Sequence, residues 1–304
     1  MKIITDNDIQ ALGISPAQCV DWVRESFLMK NRATLPPKIS LHPRGDDFIN
    51  TMPCLLPEEY GIFGCKIVSR IRGSVPSLKS KMLMVDSTTG DDLALIDTDW
   101  ITAMRTGAVA ALAIDTLQRK NADIYAFVGL GVIGHAVLKC LAAINPGRKL
   151  RIRLKRYKDH AEKMMEEFAD YDNLAFEIAD DMESLVRDAD VVVSCITSAD
   201  GLLVEDLSLF KPGVLVVPVH TRGFQNCDGV FDRVVADDTG HVRGFRYFDL
   251  FHNFTELSDV LADPSKGRQN DEERILAYNI GIALHDVVFG KKILDMTSET
   301  ETAK

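Results

Sequence analysis

The first third of the chain mixes helical and extended patterns. Ser15 and Pro16 are typical of a helix start, as the cap and the first helical residue. The apolar residues that should form the buried side of this helix are Val20, Val23, Phe27 and Leu28. Alternation then predicts strands over 65–72, 81–85 and 93–96, with a polar turn between the last two in which Gly90 supplies a positive φ. Short strands joined in this way favour a mainly antiparallel sheet.

The remainder of the chain follows a different pattern. An alanine-rich helix over 98–117 is predicted to bridge two domains, and strands and helices alternate after it. The predicted strands are 124–128, 150–154, 175–178, 191–195 and 214–219. The predicted helices are 136–144, 159–168, 182–187 and a late one, 277–288, which should return to the first domain. The expected fold class is α/β, with a Rossmann-type doubly wound parallel sheet beside an α+β domain that has a mainly antiparallel sheet.

Composition and charge exclude several classes of protein. The formal charge of −10, with no basic stripe, argues against a nucleic-acid partner. No apolar run approaches the roughly 20 residues of a membrane helix, and the N-terminus does not resemble a signal peptide. The six scattered cysteines are expected as reduced thiols in a cytoplasmic protein, and the histidines show no metal-ligand spacing, so no metal is expected.

The strongest chemical signal is Gly-x-Gly-x-x-Gly, between a predicted strand and a predicted helix. Gly129 permits a tight turn, Gly131 leaves room for a pyrophosphate, and Gly134 allows close packing of helix and strand. The helix N-terminus adds free N–H groups and a positive dipole end. The alternative is a glycine-rich turn without a ligand. The residues predicted to bind a dinucleotide here are Gly129, Leu130, Gly131, Val132, Ile133 and Gly134.

Lys155 and Arg156 bear on the choice between NAD(H) and NADP(H). An NAD site normally carries an acidic residue about 20 residues beyond the glycines. Here the second strand of the domain ends in these two cations instead, and the fork of Arg156 suits a 2′-phosphate. NADP(H) is therefore the expected cofactor. NAD(H) is the alternative if both residues are solvated surface charges.

Beyond this loop, the chain resembles the ornithine cyclodeaminase/mu-crystallin family. The matching stretches, in family order, are 36–38, 52–53, 65–68, 86–95, 102–108, the glycine loop, 212–213 and 281–286. The resemblance implies a substrate-binding and dimerisation domain over 1–118, completed by 280–304, and an NAD(P)-binding Rossmann domain over 119–279. It also implies a homodimer and a small-molecule amino-acid or imine substrate, with hydride exchange at its nitrogen-bearing carbon.

The resemblance implies that Lys38, Lys66 and Arg105 hold the substrate carboxylate. The chemistry of the residues agrees, because Arg105 offers a bidentate fork and Lys66 is a proton donor if a dry site lowers its pKa. The alternatives are an exposed Lys38, a solvated strand face that Lys66 shares with two arginines, and pairing of Arg105 with Asp99 or a partner chain.

Other candidate residues follow predicted strands. Ornithine cyclodeaminases carry an aspartate for the terminal amine of the substrate near the position of Arg222, which would instead attract an anion. His220, at the same strand end, is a candidate for proton transfer or a structural histidine. The resemblance suggests that Thr106 contacts the cofactor phosphates, and Thr197 and Asn279 are also expected along the cofactor.

These observations predict an NAD(P)-dependent oxidoreductase that exchanges hydride at the Cα of an amino acid or cyclic imine. Lys66, Arg105 and His220 are its expected catalytic residues, and Lys38, Lys66, Arg105 and Arg222 its expected substrate ligands. The first alternative is ornithine cyclodeaminase, which forms proline and ammonia and recycles its cofactor. The second is a non-catalytic NADP(H)-binding protein like the crystallins, against which the retained cations argue.

Overall fold

The computed structural model describes residues 1–76 and 78–302, with side chains through residue 299. The α-helices are α1 (Asp6–Ala11), α2 (Pro16–Met29), α3 (Asp99–Leu117), α4 (Val132–Ile144), α5 (His160–Glu167), α6 (Met182–Val186), α7 (Thr239–Val242), α8 (Leu257–Ala262) and α9 (Ala283–Thr302). The strands are β1 (Lys2–Ile4), β2 (Ile39–Leu41), β3 (Phe48–Leu55), β4 (Ile62–Arg70), β5 (Leu78–Asp86), β6 (Asp92–Asp97), β7 (Ile124–Val128), β8 (Leu150–Lys155), β9 (Leu174–Ala179), β10 (Val191–Ser194), β11 (Leu215–Pro218), β12 (Arg233–Ala236), β13 (Thr255–Glu256) and β14 (Ile275–Tyr278). Within the described residues, none of the helices has the length and hydropathy needed to cross a membrane.

The chain divides into two compact units. Unit 1 comprises residues 1–105 and 282–304, and unit 2 comprises residues 106–281. The first boundary falls inside α3 and the second just before α9, whereas the boundaries expected from the sequence are 118/119 and 279/280.

Unit 1 is built on a mainly antiparallel sheet with strand order β1-β6-β5-β4-β3-β2, in which β1 alone among the described strands runs parallel to its neighbour. The predicted sheet type is therefore confirmed, and Gly90 has the expected positive φ in the turn between β5 and β6. The C-terminal helix α9 packs against β3, β4 and β5. The contact is close, because a Cβ at Gly64 would lie 2.6 Å from a methyl carbon of Val287.

Helix α2 begins as the sequence predicts but turns a different side to the core. Ser15 accepts a hydrogen bond from the backbone of Gln18 in a capping box, and Pro16 is the first helical residue. Val20, Val23 and Phe27 are buried, but Leu28 is 57% exposed, so its predicted burial is wrong. Leu28 lies outside the arc of the helix surface that the other three share.

Unit 2 contains an all-parallel sheet with strand order β13-β12-β14-β11-β10-β7-β8-β9. The chain runs outwards from β7 to β9, then returns and continues from β10 on the other side, which is the doubly wound arrangement that the sequence predicts. The predicted late helix, 277–288, is wrong at its start, because Ala277 and Tyr278 end the buried strand β14 and α9 begins at Ala283. A short apolar run does not distinguish a buried strand from a buried helix.

Candidate active site

Lys66 lies on the inner face of the unit 1 sheet, inside an apolar row. The strand register places it directly opposite Met52 of β3 and Met82 of β5, and its side chain is fully buried. An amine in such surroundings needs a partner. Its Nζ lies 2.7 Å from Oδ1 of Asp286 and donates a longer hydrogen bond, 3.4 Å, to Oγ1 of Thr102. The alternative of a solvated cationic face is therefore wrong for this residue.

Arg105 joins the same carboxylate from helix α3. Its Nε donates to Oδ1 of Asp286 at 3.0 Å, and the side chain is buried. Asp99, the partner considered from the sequence, instead accepts hydrogen bonds from the backbone and hydroxyl of Ser80. Among the described residues, the two terminal nitrogens of Arg105 have no hydrogen-bond partner, so they can receive a carboxylate end-on.

The cluster carries an excess of positive charge. Two cations share one oxygen of Asp286, and the other oxygen, Oδ2, is buried without a partner among the described residues. Burial lowers the pKa of Lys66 from 10.5 to about 8, against the opposing effect of Asp286. The charges of Arg105 and of the half-buried Lys38 lower it further. The structure thus places Lys38, Lys66 and Arg105 close enough for their charges to interact.

Asp286 was not singled out from the sequence, although it ends the motif 281–286. A signal was present, because it stands in the apolar stretch Ile282-Ala-Leu-His-Asp-Val-Val at the start of α9. An acid on the buried side of a helix requires a cationic or hydrogen-bonding partner. The sequence pattern did not show that Lys66 and Arg105 are the partners of Asp286.

In unit 2, the glycine loop between β7 and α4 has the geometry of a dinucleotide-binding turn. Gly129 has φ +85°, and a Cβ there would lie 2.4 Å from the backbone of Cys195. A Cβ at Gly134 would lie 2.6 Å from the carbonyl oxygen of Gly129, which explains the close packing of helix and strand. A Cβ at Gly131 would meet no protein atom within 4 Å, so the protein leaves open space beside this residue, as a pyrophosphate bound there would require. The loop therefore fits a pyrophosphate.

The other residues of the loop divide by exposure. Leu130 is buried, Ile133 is half-buried, and Val132 is largely exposed at the first turn of α4. Thr106 is half-buried on α3 and precedes Gly107, where a Cβ would lie 2.4 Å from the backbone of Ala136. Gly107, which the sequence pattern did not single out, thus lets α3 approach the start of α4 and places Thr106 near the loop.

Lys155 and Arg156 follow β8, but they already have partners. Lys155 Nζ donates to the carbonyl oxygens of Arg156 and Asp180. The guanidinium of Arg156 is paired with Asp180, at 2.7 Å, and with Glu162. Any 2′-phosphate would have to share Arg156 with two carboxylates.

His220 lies beside the glycine loop at the carboxyl edge of the sheet. Its Nδ1 accepts a hydrogen bond from the backbone of Arg222, which leaves Nε2 to donate to Oγ of Ser194 at 2.6 Å. Ser194 is in register with Val128, the last residue before the loop. Burial lowers the pKa of His220 to about 4, so the imidazole is neutral near pH 7.

Thr197 is exposed in the loop after β10, and the buried Asn279 donates its backbone N–H to Pro218 at the end of β11.

Arg222 borders a cavity of about 870 Å³ within unit 2. Its wall also contains Asn226, Arg246 and Tyr247, and the buried Asp228, whose carboxylate accepts a hydrogen bond from Tyr278 at 2.7 Å. Burial raises the pKa of Asp228 to about 6. No ion pair of Arg222 is found within the part of the chain that the structure describes, so its charge is available to a ligand.

Comparison with known proteins agrees with this architecture. A family model described as the ornithine cyclodeaminase/mu-crystallin family matches residues 2–228. Nodulation efficiency protein NfeD of Rhizobium meliloti is 29% identical over 275 residues, which are 87% of this chain and 84% of that protein. Alanine dehydrogenase of Archaeoglobus fulgidus is 25% identical over 96% of this chain and 94% of its own.

A solved structure shares the fold over nearly the whole chain. It is that of the Δ1-pyrroline-2-carboxylate reductase of Thermococcus litoralis in complex with NADH and L-proline, with a TM-score of 0.85 and 22% identity over 99% of this chain and 98% of that one. The predicted fold class is confirmed by this likeness. Relatives and structural neighbours of this chain are dehydrogenases, reductases and cyclodeaminases, so it is an enzyme. Since the family model covers well over half of the chain, the protein belongs to the ornithine cyclodeaminase/mu-crystallin family.

Proposed function

We propose that this enzyme is an NAD(P)-dependent oxidoreductase that exchanges hydride at the Cα of an amino acid or cyclic imine, as a ketimine reductase or an amino-acid dehydrogenase. The observation that carries the proposal is the buried cluster of Lys66, Arg105 and Asp286, with two cations on one carboxylate oxygen. With Lys66 protonated, the cluster has one positive charge in excess, and an α-carboxylate would neutralise it.

The residues of the cluster have separate roles in this proposal. The terminal nitrogens of Arg105 bind the substrate carboxylate as a fork, with Lys38 and Lys66 adding attraction, and so hold Cα in position. Lys66, or a water bound to it, gives a proton to the imine nitrogen as the amine forms and takes one up in the reverse direction. The nicotinamide, when bound, supplies or accepts the hydride. Because the pKa of Lys66 is about 8, reduction should be favoured below this pH and oxidation above it.

Turnover and cofactor stoichiometry test the proposal. The purified protein should reduce Δ1-pyrroline-2-carboxylate, or a related cyclic imine, and consume one NAD(P)H per product. Arg105→Ala should lower kcat/KM at least about a hundredfold, from loss of about 3 kcal/mol of carboxylate binding, and keep its affinity for cofactor. Arg72→Ala, which removes an exposed arginine of unit 1, is the matched control.

Two results would contradict the proposal. Conversion of ornithine to proline and ammonia with a catalytic amount of NAD⁺ would identify a cyclodeaminase instead. Binding of NADPH without oxidation by any imine, or by oxo acids with an amine, would support a non-catalytic protein. Loss of cofactor affinity in Arg105→Ala would contradict the role given to this arginine.

We propose that Arg222 selects a substrate with an acidic or neutral side arm. Its guanidinium borders the cavity of unit 2 and would repel a distal ammonium group. Arg222→Asp should therefore raise the ratio of kcat/KM for a basic substrate over an acidic one by at least about tenfold. Arg243→Asp, at another exposed arginine of unit 2, should leave the ratio unchanged.

His220 is proposed as a catalytic residue that acts in its neutral form. Nε2 donates to Ser194, whereas Nδ1 accepts a long hydrogen bond, 3.4 Å, from the backbone of Arg222. We propose that a ligand or water at the carboxyl edge of the sheet, where ligands of such folds bind, replaces this backbone donor at Nδ1. Thr106, Thr197 and Asn279 are proposed to contact the cofactor together with residues 129–134.

We propose that the protein prefers NADP(H), and the proposal rests on Lys155 and Arg156. The ion pairs of Arg156 leave part of its fork for a 2′-phosphate, with NAD(H) as the alternative. Fluorescence titration of the cofactor-free protein should show NADPH binding at least about tenfold more tightly than NADH, about 1.4 kcal/mol. Arg156→Ala should abolish the difference. Tighter binding of NADH by the unchanged protein would refute this proposal.

We propose a homodimer that buries the outer face of the unit 1 sheet. The face opposite α9 exposes apolar side chains, and Ile67 at its centre is 52% exposed. The other exposed members of this face, by strand register, are Ile3, Ile39, Leu41 and Ile49. Ile67→Lys should give a monomer in light scattering, whereas Val75→Lys, at an exposed apolar residue outside the sheet, should not.

A further inference from the structure

Asp286 stands at the centre of the cationic cluster. It is fully buried in the first turn of α9, where the helix dipole favours a negative charge. Its Oδ1 lies 2.7 Å from Nζ of Lys66 and 3.0 Å from Nε of Arg105. Asp286 therefore contacts both Lys66 and Arg105, which are two of the residues proposed to bind the substrate.

The groups around Lys66 and its partner Asp286 come from several elements. They are Lys38 before β2, Cys54 of β3, Thr102 and Arg105 of α3, and His285 of α9. Burial raises the pKa of the Cys54 thiol to about 12 and lowers that of His285 well below its usual value, so both are neutral near pH 7. Lys38 and Arg105 repel a proton on Lys66, and Asp286 attracts it.

We infer that Asp286 is a positioning residue, which keeps Lys66 protonated and holds Arg105 by Nε so that its two terminal nitrogens face a substrate carboxylate. The inference rests on the proposed function for its kinetic consequences, but its electrostatic part does not depend on any substrate. Without the negative charge, Lys66 would combine full burial with two neighbouring cations. Its pKa would then fall further, roughly one to three units for loss of an opposite charge at this distance.

Kinetics of Asp286→Asn test the inference. The amide keeps the shape of the side chain and removes its charge. In the wild type, kcat/KM for reduction of Δ1-pyrroline-2-carboxylate should decline above pH 8 as Lys66 loses its proton. In Asp286→Asn the decline should begin about one unit lower or more, KM should rise about tenfold or more, and NADPH affinity should stay the same. Asp295→Asn, at an exposed carboxylate of the same helix that pairs with Lys291, should behave as the wild type.

A merely structural role gives a different result. If Asp286→Asn lowers kcat at every pH and leaves the position of the decline unchanged, Asp286 does not control the proton of Lys66 and the inference is wrong. Asp286→Glu, which restores the charge, should return the decline towards the wild-type position.

A titration without substrate separates this inference from the proposed function. The Cε resonance of Lys66, in protein labelled with ¹³C-lysine and assigned by its absence from Lys66→Met, reports the protonation of Nζ directly. The resonance should titrate at a lower pH in Asp286→Asn than in the wild type, even if no imine is a substrate. An unchanged titration overturns the inference. If Asp286→Asn does not fold, the same comparison between Arg105→Met and Arg105→Met/Asp286→Asn decides it, because these two variants carry one buried cation fewer.

Discussion

Replacing Lys66 with methionine tests whether the protein tolerates a destabilising buried charge for the sake of its site. Methionine is similar in length and would join Met52 and Met82, the residues opposite Lys66 on the neighbouring strands. Asp286 would keep Arg105 as its partner. We therefore expect Lys66→Met to fold, to be more stable than the wild type near neutral pH, and to lose turnover.

The magnitude follows from the pKa of Lys66, which burial lowers from 10.5 to about 8. The difference, 10.5 minus 8, is 2.5 and corresponds to about 3 kcal/mol. Because the folded pKa is the lower one, the unfolded chain binds more protons between these two values, and the stability of the wild type rises with pH there. Below pH 8 the charged lysine destabilises the fold by the full amount, and above pH 10.5 this cost is gone.

Urea unfolding of both proteins at two pH values measures this effect. The free energy of unfolding of Lys66→Met minus that of the wild type should fall by about 2–3 kcal/mol from about pH 7 to about pH 10. Other titrating groups are common to both proteins and cancel in the difference. Lys149→Met, at an exposed lysine of unit 2, is the control and should give a constant difference. A constant difference for Lys66→Met, or one that grows with pH, would refute the reasoning.

Three further predictions concern the glycines and His220. Gly131→Ala should unfold as the wild type does, because the added Cβ meets no protein atom. It should bind NADH and NADPH at least about tenfold more weakly in equilibrium titration, and unchanged affinity would count against the cofactor loop. Gly64→Ala should lower the free energy of unfolding by about 1–3 kcal/mol, because its Cβ would collide with the methyl groups of Val287. Adding Val287→Ala removes these methyl groups and should recover part of the loss, and no recovery would contradict the packing of α9. Because His220 has a pKa of about 4, it should not titrate between about pH 6 and pH 8. His220→Asn should therefore change kcat without removing a step from the pH profile of kcat in this range, and loss of such a step would show that the histidine is charged there.

Local features of the fold could be predicted because neighbouring residues specify them. The capping box at Ser15, the positive φ of Gly90 and the turn at Gly129 each depend on a few consecutive residues, and all three occur in the structure. The alternation of strands and helices after residue 123 likewise predicted the parallel sheet. Short buried strands such as β14 were missed, since a few apolar residues have no period that distinguishes strand from helix.

The alternation along β4 separated two faces but did not tell which one is buried. Lys66 proved to be on the buried face and Ile67 on the exposed one, the reverse of what their hydrophobicity favours. The reason is that α9 packs on the face of Lys66 and brings Asp286 to it.

The chain by itself therefore determined the fold class, the glycine loop and the cations that bear on function. Tertiary structure alone decided how these residues are partnered. Lys66, Arg105 and Asp286 come from a strand and two helices that are far apart in sequence, and Arg156, after β8, meets Asp180, after β9. Spacing along a chain reports the geometry of one element, whereas the pKa of a buried group depends on charges that only packing brings within a few ångströms.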